Sequence, residues 1–297
     1  MELHQLRYLL AVVETGSFTR AAERAHVSQP ALSQQIINLE NELGHKLLHR
    51  LGRKAVLTEA GAAFAERARR ILFEVENATK ELQDSPALER RITVGALPTI
   101  APYLLPPMIE RCRERYPNLQ LFAREDFRVN LVRAILEGEL DLAIITLPAK
   151  DPRLLIEPLL TEPLLLVVAH DHPFARRSSI TAQDMAAETF VTLGDSSTLA
   201  AQVRAFCGDH NIVPKVGYRC AQTATMKAFV AMGLGISILP ASARRPEDAA
   251  RLRYVKLTDS NPTREVAVVR HVQRYQTRGA EQFLAELRAH VAETAAS

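Results

Sequence analysis

The stretch that most constrains how this chain can fold is residues 16–53, which reads as two helices joined by a tight turn. The apolar face of the first helix is formed at helical spacing by Phe18, Ala21, Ala22 and Ala25. Ser28 can cap the second helix, and Pro30 is tolerated in its first turn because no intrahelical donor is needed there. The second helix has a buried stripe made of Leu32, Ile36, Leu39 and Leu43. Gly44 can end it in the left-handed conformation.

The solvent side of the second helix carries only neutral polar side chains with hydrogen-bonding groups. They are Ser28, Gln29, Ser33, Gln34, Gln35 and Asn38. Gln and Asn donate and accept at once, as the reading of base edges in a major groove requires. An ordinary solvated face is the alternative, but such faces usually carry Lys and Glu pairs, and residues 28–39 contain none. A helix-turn-helix places the start of its second helix against DNA bases.

The residues after Gly44 predict a wing beside this helix. Two short apolar runs, at residues 47–48 and 55–57, flank a turn at Gly52. The cations of this window are Lys46, Arg50, Arg53 and Lys54, and no acidic residue accompanies them. Cations there would contact phosphates next to the groove and supply affinity that is independent of sequence. The segment is therefore predicted to be a winged helix-turn-helix.

These motifs together resemble the DNA-binding domain of LysR-type transcriptional regulators. The likeness covers residues 1–60 and rests on the strings SFTRAAERAHVSQPALSQQIINLENELGHKLLHR and LTEAG. It implies that residues 28–33 begin the recognition helix and that Arg50 and Arg53 lie in the wing. The residues predicted to contact DNA are Arg20, Ser28, Gln29, Pro30, Ala31, Ser33, Gln34, Arg50, Arg53 and Lys54.

A long helix is predicted from Thr58, its N-cap, to about Leu82. Its apolar residues alternate at steps of three and four, as Gly61, Phe64, Ala68, Ile71, Val75, Ala78 and Leu82. Such a heptad seam is typical of a helix that packs on another of its kind. Packing on its own domain is the alternative, but a helix this long between two domains has little of its own chain to contact. The resemblance implies a dimerising linker helix and tetramers, so we expect a homodimer or homotetramer.

From residue 91 the pattern changes to strands alternating with helices, which predicts an α/β fold with mostly parallel pairing. This half resembles the LysR-type effector domain, which is built like periplasmic solute-binding proteins, in the strings EPLLLVVAHDHPFA and GLGISILP. The expected fold is thus an N-terminal all-α winged helix-turn-helix with a long linker helix, followed by a two-lobed α/β effector domain. The predicted boundaries are 1–58 for the DNA-binding domain, 59–84 for the linker helix and 90–297 for the regulatory domain, with lobe I at about 90–162 and 265–297 and lobe II at about 163–264.

Within that family, the string GALPTIAPYLLP most resembles the peroxide-responsive OxyR branch. That branch carries a reactive cysteine nine positions before a second one, and the second matches Cys207. The reactive position is Thr198 in this chain, and the histidine position before it is Ser197. Thr99 matches a pocket threonine of the branch, whereas a second pocket threonine aligns with Arg128. The resemblance therefore implies an OxyR-like scaffold that lacks the intramolecular disulfide switch.

Hydroxyl side chains recur where strands of the effector half give way to helices. The predicted effector-binding residues are Thr99, Arg128, Thr146, Ser197, Thr198 and Thr223. Each hydroxyl alone is more often a helix cap, and Arg128 is either a cation for the ligand or a solvated side chain. Their recurrence at equivalent junctions predicts a carboxylate or another small anion as effector, because helix N-termini favour negative charge. In two-lobed folds of this type the ligand lies in the cleft.

An oxidant response through Cys207 alone is the alternative signal. A free cysteine is more commonly a small buried hydrophobe, and Asp209 would not lower the pKa of this thiol, whereas a protonated His210 could. Cys112 and Cys220 are predicted to be structural. The spacing of these cysteines fits a reducing compartment without structural disulfides.

Composition sets the remaining limits. The net charge of +3 over 297 residues places the positive charge locally, in the wing, rather than over the whole chain. The N-terminus lacks the features of a signal peptide, and no apolar run is long enough to span a membrane. A cytoplasmic protein without a membrane partner is therefore expected.

Three rival classes are weaker. An enzyme could use His170 and His172, but they precede Pro173 in a polar turn without a second ligand cluster, so no catalytic residue, metal or cofactor is expected. A plain solute-binding protein would lack residues 1–60, and a nucleoid-type DNA binder would need no cleft. The expected partners are double-stranded promoter DNA with a partly palindromic site, a further copy of the chain and a small-molecule effector, with RNA polymerase as a further candidate.

Overall fold

The computed structural model describes residues 1–51, 54–82, 91–177 and 179–296. The chain divides into two compact units, Met1–Gln83 and Asp84–Ser297. The first unit contains, in chain order, α1 (Leu3–Thr15), α2 (Phe18–Arg24), α3 (Gln29–Leu43), β1 (Leu48–Leu51), β2 (Lys54–Leu57) and α4 (Glu59–Leu82). The predicted pair of helices, the two wing strands and the long helix are all confirmed.

The ends of these helices are determined by local chemistry. The Ser28 hydroxyl accepts a hydrogen bond from the Ala31 amide at 3.3 Å and caps α3. The Thr58 hydroxyl accepts one from the Gly61 amide at 2.8 Å at the start of α4. Gly44 ends α3 with φ of 69°, a left-handed conformation that glycine adopts without steric cost.

The first unit has a continuous apolar core beneath α3. Its fully buried members include Leu9, Ala21, Leu32, Ile36, Leu39 and Leu47. A second cluster joins α1 to the start of α4 through Leu6, Leu10, Ala65 and Ala68. Full burial of one Leu or Ile side chain stabilises a fold by roughly 1.5–3 kcal/mol. The stripe predicted from the spacing of Leu32, Ile36 and Leu39 is therefore what holds α3 in place.

The second unit contains nine described strands of mixed direction around two lobes. Its strands are β3 (Arg91–Ala96), β4 (Gln120–Glu125), β5 (Leu142–Thr146), β6 (Leu154–Ala169), β7 (Thr189–Leu193), β8 (Lys215–Cys220), β9 (Ser237–Pro240), β10 (Leu252–Val255) and β11 (Thr263–His271). Its longer helices are α5 (Ala101–Arg115), α6 (Arg128–Leu136), α7 (Thr198–Asp209), α8 (Thr223–Ala231) and α9 (Arg278–Ala296).

The prediction of mostly parallel pairing is wrong. β3 pairs in parallel with β4 and β5, and β7 with β8. The other described pairings in this unit, of β11 with β5 and β6 and of β6 with β9 and β10, are antiparallel. The physical reason is that β6 and β11 cross between the lobes in opposite directions and pair with each other on the way.

Each lobe has its own core, and the crossing strands join them. The core of the first lobe includes Ile92, Val94, Leu131, Ile144 and, from α9, Phe283. The core of the second lobe includes Leu166, Phe190, Cys207, Met226 and Ile238. Residues 154–163 of β6 pair with β11, whereas residues 164–169 pair with β9 and β10. The two cores therefore meet along β6.

Candidate functional site

The first turn of α3 is exposed and presents polar groups to solvent. Ser28, Gln29, Pro30 and Ala31 are all exposed. One turn later the Gln34 amide donates to the Asn38 side-chain oxygen at 3.0 Å, and both side chains are exposed. This surface offers hydrogen-bond donors and acceptors on a helix fixed from below, which is the geometry that reads base edges.

Two members of the predicted polar face lie elsewhere. The expectation that Ser33 is exposed is wrong, since its exposed fraction is only 8%. It is adjacent to Leu32 and so falls at the border of the buried stripe. Gln35 is half-buried and accepts a hydrogen bond from the Gln5 amide at 3.1 Å, so it ties α3 to α1. The solvent face of α3 is therefore narrower than the sequence predicts.

The described cations that were predicted to contact phosphates lie on α2 and on the two wing strands. Arg20 is exposed on α2 and its guanidinium donates to the Thr15 carbonyl. β1 and β2 pair antiparallel, with Leu48 opposite Leu57, and Lys54 is exposed at the start of β2. The backbone of Arg50 lies in β1, and Arg53 lies outside the described residues.

A buried carboxylate that sequence reasoning missed connects α3 to the wing. Glu40 is 6% exposed, and one of its oxygens accepts from the Leu47 and Leu48 amides at 2.9 and 3.2 Å. Its other oxygen pairs with Lys46 at 2.8 Å. Burial raises the pKa of Glu40, but the hydrogen bonds from Lys46 and the two amides outweigh it and leave the pKa below its usual value. The signal was an acidic residue next to Leu39, inside an otherwise apolar stripe.

In the second unit a cleft cavity of about 170 Å³ lies between the lobes. From the first lobe it is lined by Leu97, Pro98, Thr99 and Phe127, and from the second by Leu193, Gly194, Ser196, Ser197, Thr198 and Ala221. The Ser197 hydroxyl caps α7 by accepting from the Ala200 amide at 3.4 Å. The residues at the start of α7 thus line a small space with polar and apolar walls.

The other predicted effector residues do not line this cavity. Thr146 is fully buried, and its hydroxyl donates to the Thr198 hydroxyl at 3.1 Å, which joins the two lobes behind the cleft. Arg128 is half-buried and donates to the carbonyls of Thr146 and Pro148 at 3.3 and 2.7 Å. Thr223 begins α8 and its hydroxyl oxygen is buried without a hydrogen-bond partner among the described residues.

Two family models match the chain. The model of the LysR substrate binding domain matches residues 86–292, and that of the bacterial regulatory helix-turn-helix protein of the lysR family matches residues 3–62. The chain belongs to the LysR family of transcriptional regulators.

Individual relatives agree with this assignment. The DNA-binding transcriptional dual regulator OxyR of Escherichia coli K12 is 35% identical over 272 residues, which cover 91% of this chain and 89% of OxyR. The Hca operon transcriptional activator HcaR of the same organism is 36% identical over 242 residues, covering 81% and 82% of the two chains. A full-length OxyR variant from Pseudomonas aeruginosa has a TM-score of 0.74 at 28% identity and covers 98% of this chain and 94% of its own.

The predicted family and fold class of this LysR-type chain are therefore confirmed, including the likeness to OxyR. Where that likeness matters most, the cysteines are poorly placed for redox chemistry. Cys112, Cys207 and Cys220 are all buried and free. Burial raises the pKa of the Cys207 thiol to about 11, so the thiolate is scarce at neutral pH. The cleft cavity is lined by Thr198, nine positions away, which cannot be oxidised.

A buried charge network behind the cleft was also missed by sequence reasoning. Arg264, on β11, is 1% exposed and pairs with Glu162, on β6, at 2.7 Å. Its guanidinium also donates to the hydroxyl and the carbonyl of Thr99 at 2.9 and 3.0 Å. The second Glu162 oxygen accepts from the Ser242 amide at 3.0 Å. The crossing strands, a cleft residue of the first lobe and the second lobe are thus connected by one ion pair.

Burial lowers the pKa of Arg264, and its pairing with Glu162 opposes that effect. A guanidinium remains protonated in proteins, so the pair is ionic. The sequence signal was the alternation of β11, which puts Arg264 on the same inward side as Val266 and Val268. A charged residue at an inward strand position needs a buried partner, and periodicity does not reveal which one.

The long helix α4 divides into two parts. Gly61 and Ala68, from the first part of the predicted seam, are buried within the first unit. Ile71, Ala78 and Leu82 are exposed, and Leu82 is 90% exposed. The helix is therefore buried along one side as far as Asn77, whereas Ile71, Ala78 and Leu82 of the predicted seam are uncovered.

Membrane-spanning helices and metal-binding clusters can be looked for in the part of the chain that the structure describes. Within it, none of the helices has the length and hydrophobicity that a membrane span requires. The described residues also contain no group of three or more His, Cys, Asp or Glu side chains arranged to hold a metal ion. His172 caps a short 3-10 helix instead, by accepting from the Phe174 amide at 3.2 Å.

Proposed function

We propose that this LysR-type chain is a cytoplasmic, non-enzymatic regulator that binds a partly palindromic promoter site as a dimer or tetramer. In this proposal α3 reads the DNA bases. The proposed DNA contacts are those predicted from the sequence. Among them, the exposed Gln29 and Gln34 are expected to contribute more than the buried Ser33. The DNA-binding part of the proposal is supported by the row of exposed amides and hydroxyls on a rigid helix beside a wing.

The domain boundaries of the proposal are residues 1–58, 59–84 and 90–297. The exposed half of the seam on α4, at Ile71, Ala78 and Leu82, supports pairing with a second copy, because isolated apolar residues at heptad spacing are covered in a coiled coil. Two-fold pairing would place two recognition helices on half-sites about one turn of DNA, or a multiple of it, apart.

The proposed signal is a small molecule, preferably a carboxylate, in the inter-lobe cleft. The supporting observation is the cleft cavity of about 170 Å³, which Thr99, Ser197 and Thr198 line beside the N-terminus of α7. Free amides and the positive end of a helix favour an anion. Closure of the lobes around the ligand would shift the chain between two arrangements and change the contacts with DNA.

Oxidant sensing through Cys207 is the weaker function despite the likeness to OxyR. The Cys207 side chain is fully buried, its pKa is raised to about 11, and no basic group is among the causes of that shift. A peroxide-reactive thiol needs access and a stabilised thiolate, and Cys207 has neither.

A thermal-shift experiment tests the effector proposal. Full-length chain is titrated with a panel of small mono- and dicarboxylates, and we expect at least one to raise the melting temperature, because a ligand that binds only the folded state stabilises it. Thr99→Val should weaken that shift, whereas Thr225→Val, an exposed threonine on α8, should leave it unchanged. Equal shifts in both variants, or none in the wild type, would exclude a carboxylate at this cleft.

A further inference from the structure

A second pocket, of about 430 Å³, opens in the effector unit away from the cleft cavity. It is bounded by the start of α5, by the crossing strands β6 and β11 and by the last turns of α9. Packed interiors leave few voids larger than a water molecule, whereas ligand pockets have volumes of roughly 300–1,000 Å³. A space of this size is therefore a candidate binding site rather than a packing defect.

The walls of the pocket are mainly apolar. The aliphatic side chains that form them include Ile100, Leu104, Leu160, Val266 and Val291. A few hydrogen-bonding groups accompany them on α9: His290 lines the pocket, and the Thr294 hydroxyl donates to the His290 carbonyl at 2.8 Å, which leaves its oxygen free to accept. Apolar walls with a small number of polar groups are typical of sites for small organic molecules.

The charges at the pocket are already balanced. Arg264 and Glu162 both line it and pair with each other at 2.7 Å. The remaining groups of the pair are engaged by Thr99 and by the Ser242 amide. An anionic ligand would face the Glu162 carboxylate and a cationic one the Arg264 guanidinium. A neutral molecule avoids both repulsions and, by excluding water, strengthens the ion pair.

The same ion pair connects this pocket to the cleft. Arg264 lines the second pocket and holds the hydroxyl and carbonyl of Thr99, which lines the cleft cavity. The next residue, Ile100, lines the second pocket. Any movement of Arg264 on ligand binding therefore reaches the wall of the cleft in one step, and such a coupling acts in both directions.

We propose that the second pocket binds a neutral, mainly apolar small molecule with a hydroxyl group, such as an aromatic alcohol or phenol, and that its occupancy changes the DNA affinity of the chain through Arg264 and Thr99. The binding part of this inference stands without the proposed function. The coupling part rests on it.

Binding can be measured directly with 2-naphthol on the full chain. The chain contains no Trp, and naphthol can be excited at a longer wavelength than its six Tyr side chains absorb, so the fluorescence of the naphthol ring reports its burial. We expect saturable binding by the wild type. Ala241→Phe, which fills the pocket, should weaken it at least tenfold, and so should Val291→Phe on the opposite wall. The matched control Ala221→Phe fills the cleft cavity and should leave the naphthol affinity within twofold.

Charge selectivity is tested with 2-naphthoate, which has the same ring system and a carboxylate. We expect it to bind at least tenfold more weakly than 2-naphthol at this pocket. The binding proposal is overturned if the wild type shows no saturable naphthol binding, if Ala221→Phe rather than Ala241→Phe abolishes it, or if naphthoate binds equally well. These readouts involve no DNA, so they succeed or fail independently of the regulatory function.

Coupling is tested by the affinity for the DNA upstream of the chain's own gene, measured with and without saturating 2-naphthol. We expect a change of at least threefold in the wild type and none in Ala241→Phe. A wild type that binds naphthol but keeps the same DNA affinity would overturn the coupling while leaving the binding site in place. A wild type that does not recognise the DNA at all would contradict the proposed function instead.

Discussion

Two helices of this chain, α3 and α7, begin in the same way and face opposite environments. Ser28 caps α3 and Ser197 caps α7, and each hydroxyl accepts a hydrogen bond from the amide three residues later, at 3.3 and 3.4 Å. Ser28 and its neighbours are exposed, whereas Ser197 and Thr198 are each 9% exposed, against the other lobe.

The comparison shows how one local device serves two kinds of ligand. The start of any helix has unpaired amides and a partial positive charge. On α3 those groups lie on an open surface beside a wing, where a large polyanion such as DNA can bind. On α7 a second lobe closes the space to about 170 Å³, which admits only a small molecule. The surroundings, and not the cap, select the ligand.

The largest expected effect concerns what holds the exposed helix in place. Glu40→Ala leaves the Leu47 and Leu48 amides and Lys46 without their acceptor, and we expect the first unit to lose about 2–4 kcal/mol of unfolding free energy. Specific DNA binding should fall with it, while the second unit is unaffected. Hydrogen exchange over the two units measures this. The exposed Glu42→Ala is the control, and equal effects of the two changes would contradict the role of Glu40.

The same carboxylate gives the first unit an acid sensitivity. The pKa of Glu40 is lowered in the folded state, so its contribution is present above the unfolded pKa, about 4.5, and is lost as the pH falls through the lowered value. Glu40→Gln should remove that part of the pH dependence. Urea unfolding of the first unit at several pH values tests it. Parallel curves of stability against pH for the wild type and the Gln variant would show that Glu40 is not the source of this pH dependence.

The next largest effect is expected from Gln29, and it distinguishes a side chain that contacts DNA bases from one that is only exposed. Gln29→Ala should weaken binding to the specific promoter site by about 1–3 kcal/mol and leave binding to random DNA unchanged, because a bidentate amide contact to a base is lost. Gel-shift titrations on both DNAs measure it. Gln120→Ala, an exposed glutamine on β4, is the matched control. Equal weakening on both DNAs would assign Gln29 to the phosphates.

The corresponding change on the enclosed helix should be smaller. Thr198→Val keeps the shape of the side chain but removes the hydrogen bond to Thr146 at 3.1 Å, and we expect a loss of about 1 kcal/mol in the second unit. Effector affinity should fall, and DNA affinity without effector should not. Thermal unfolding compared with that of Thr225→Val provides the measurement. If the Thr198 variant instead loses DNA binding in the absence of effector, the assignment of DNA binding to the start of α3 and of effector binding to the start of α7 is contradicted.

A still smaller effect is expected from the wing. Lys54 is exposed, and Lys54→Ala should weaken specific and random DNA equally and reduce the slope of log affinity against log salt by about 1. Affinities at several salt concentrations give this slope. An unchanged slope would remove Lys54 from the phosphate contacts.

The smallest expected effect is that of peroxide. A footprint on the DNA upstream of the gene should be the same with and without peroxide, in the wild type and in Cys207→Ser, because the raised pKa of Cys207 keeps the buried thiol protonated. A change confined to the wild type would show that Cys207 senses oxidant after all.

The sequence was most informative in the first unit, where the structure is set by neighbours a few residues apart. The caps at Ser28 and Thr58, the left-handed end at Gly44 and the stripe through Leu32 and Ile36 all depend on helical spacing within one segment. Spacing also separated the wing strands from the helices. It did not identify Ser33 as buried, because a residue at the border of a stripe becomes buried only once the neighbouring helices are in place.

In the second unit the sequence predicted that strands alternate with helices from residue 91, but the tertiary structure decided how they combine. The antiparallel crossing of β6 and β11 brings Glu162 and Arg264 together although 101 residues separate them in the chain. The closure of one lobe on the other turns a cap at Ser197 into part of a cavity wall. Local periodicity fixes which face of an element is apolar, whereas the partner that covers that face is chosen by long-range packing, which no short stretch of sequence contains.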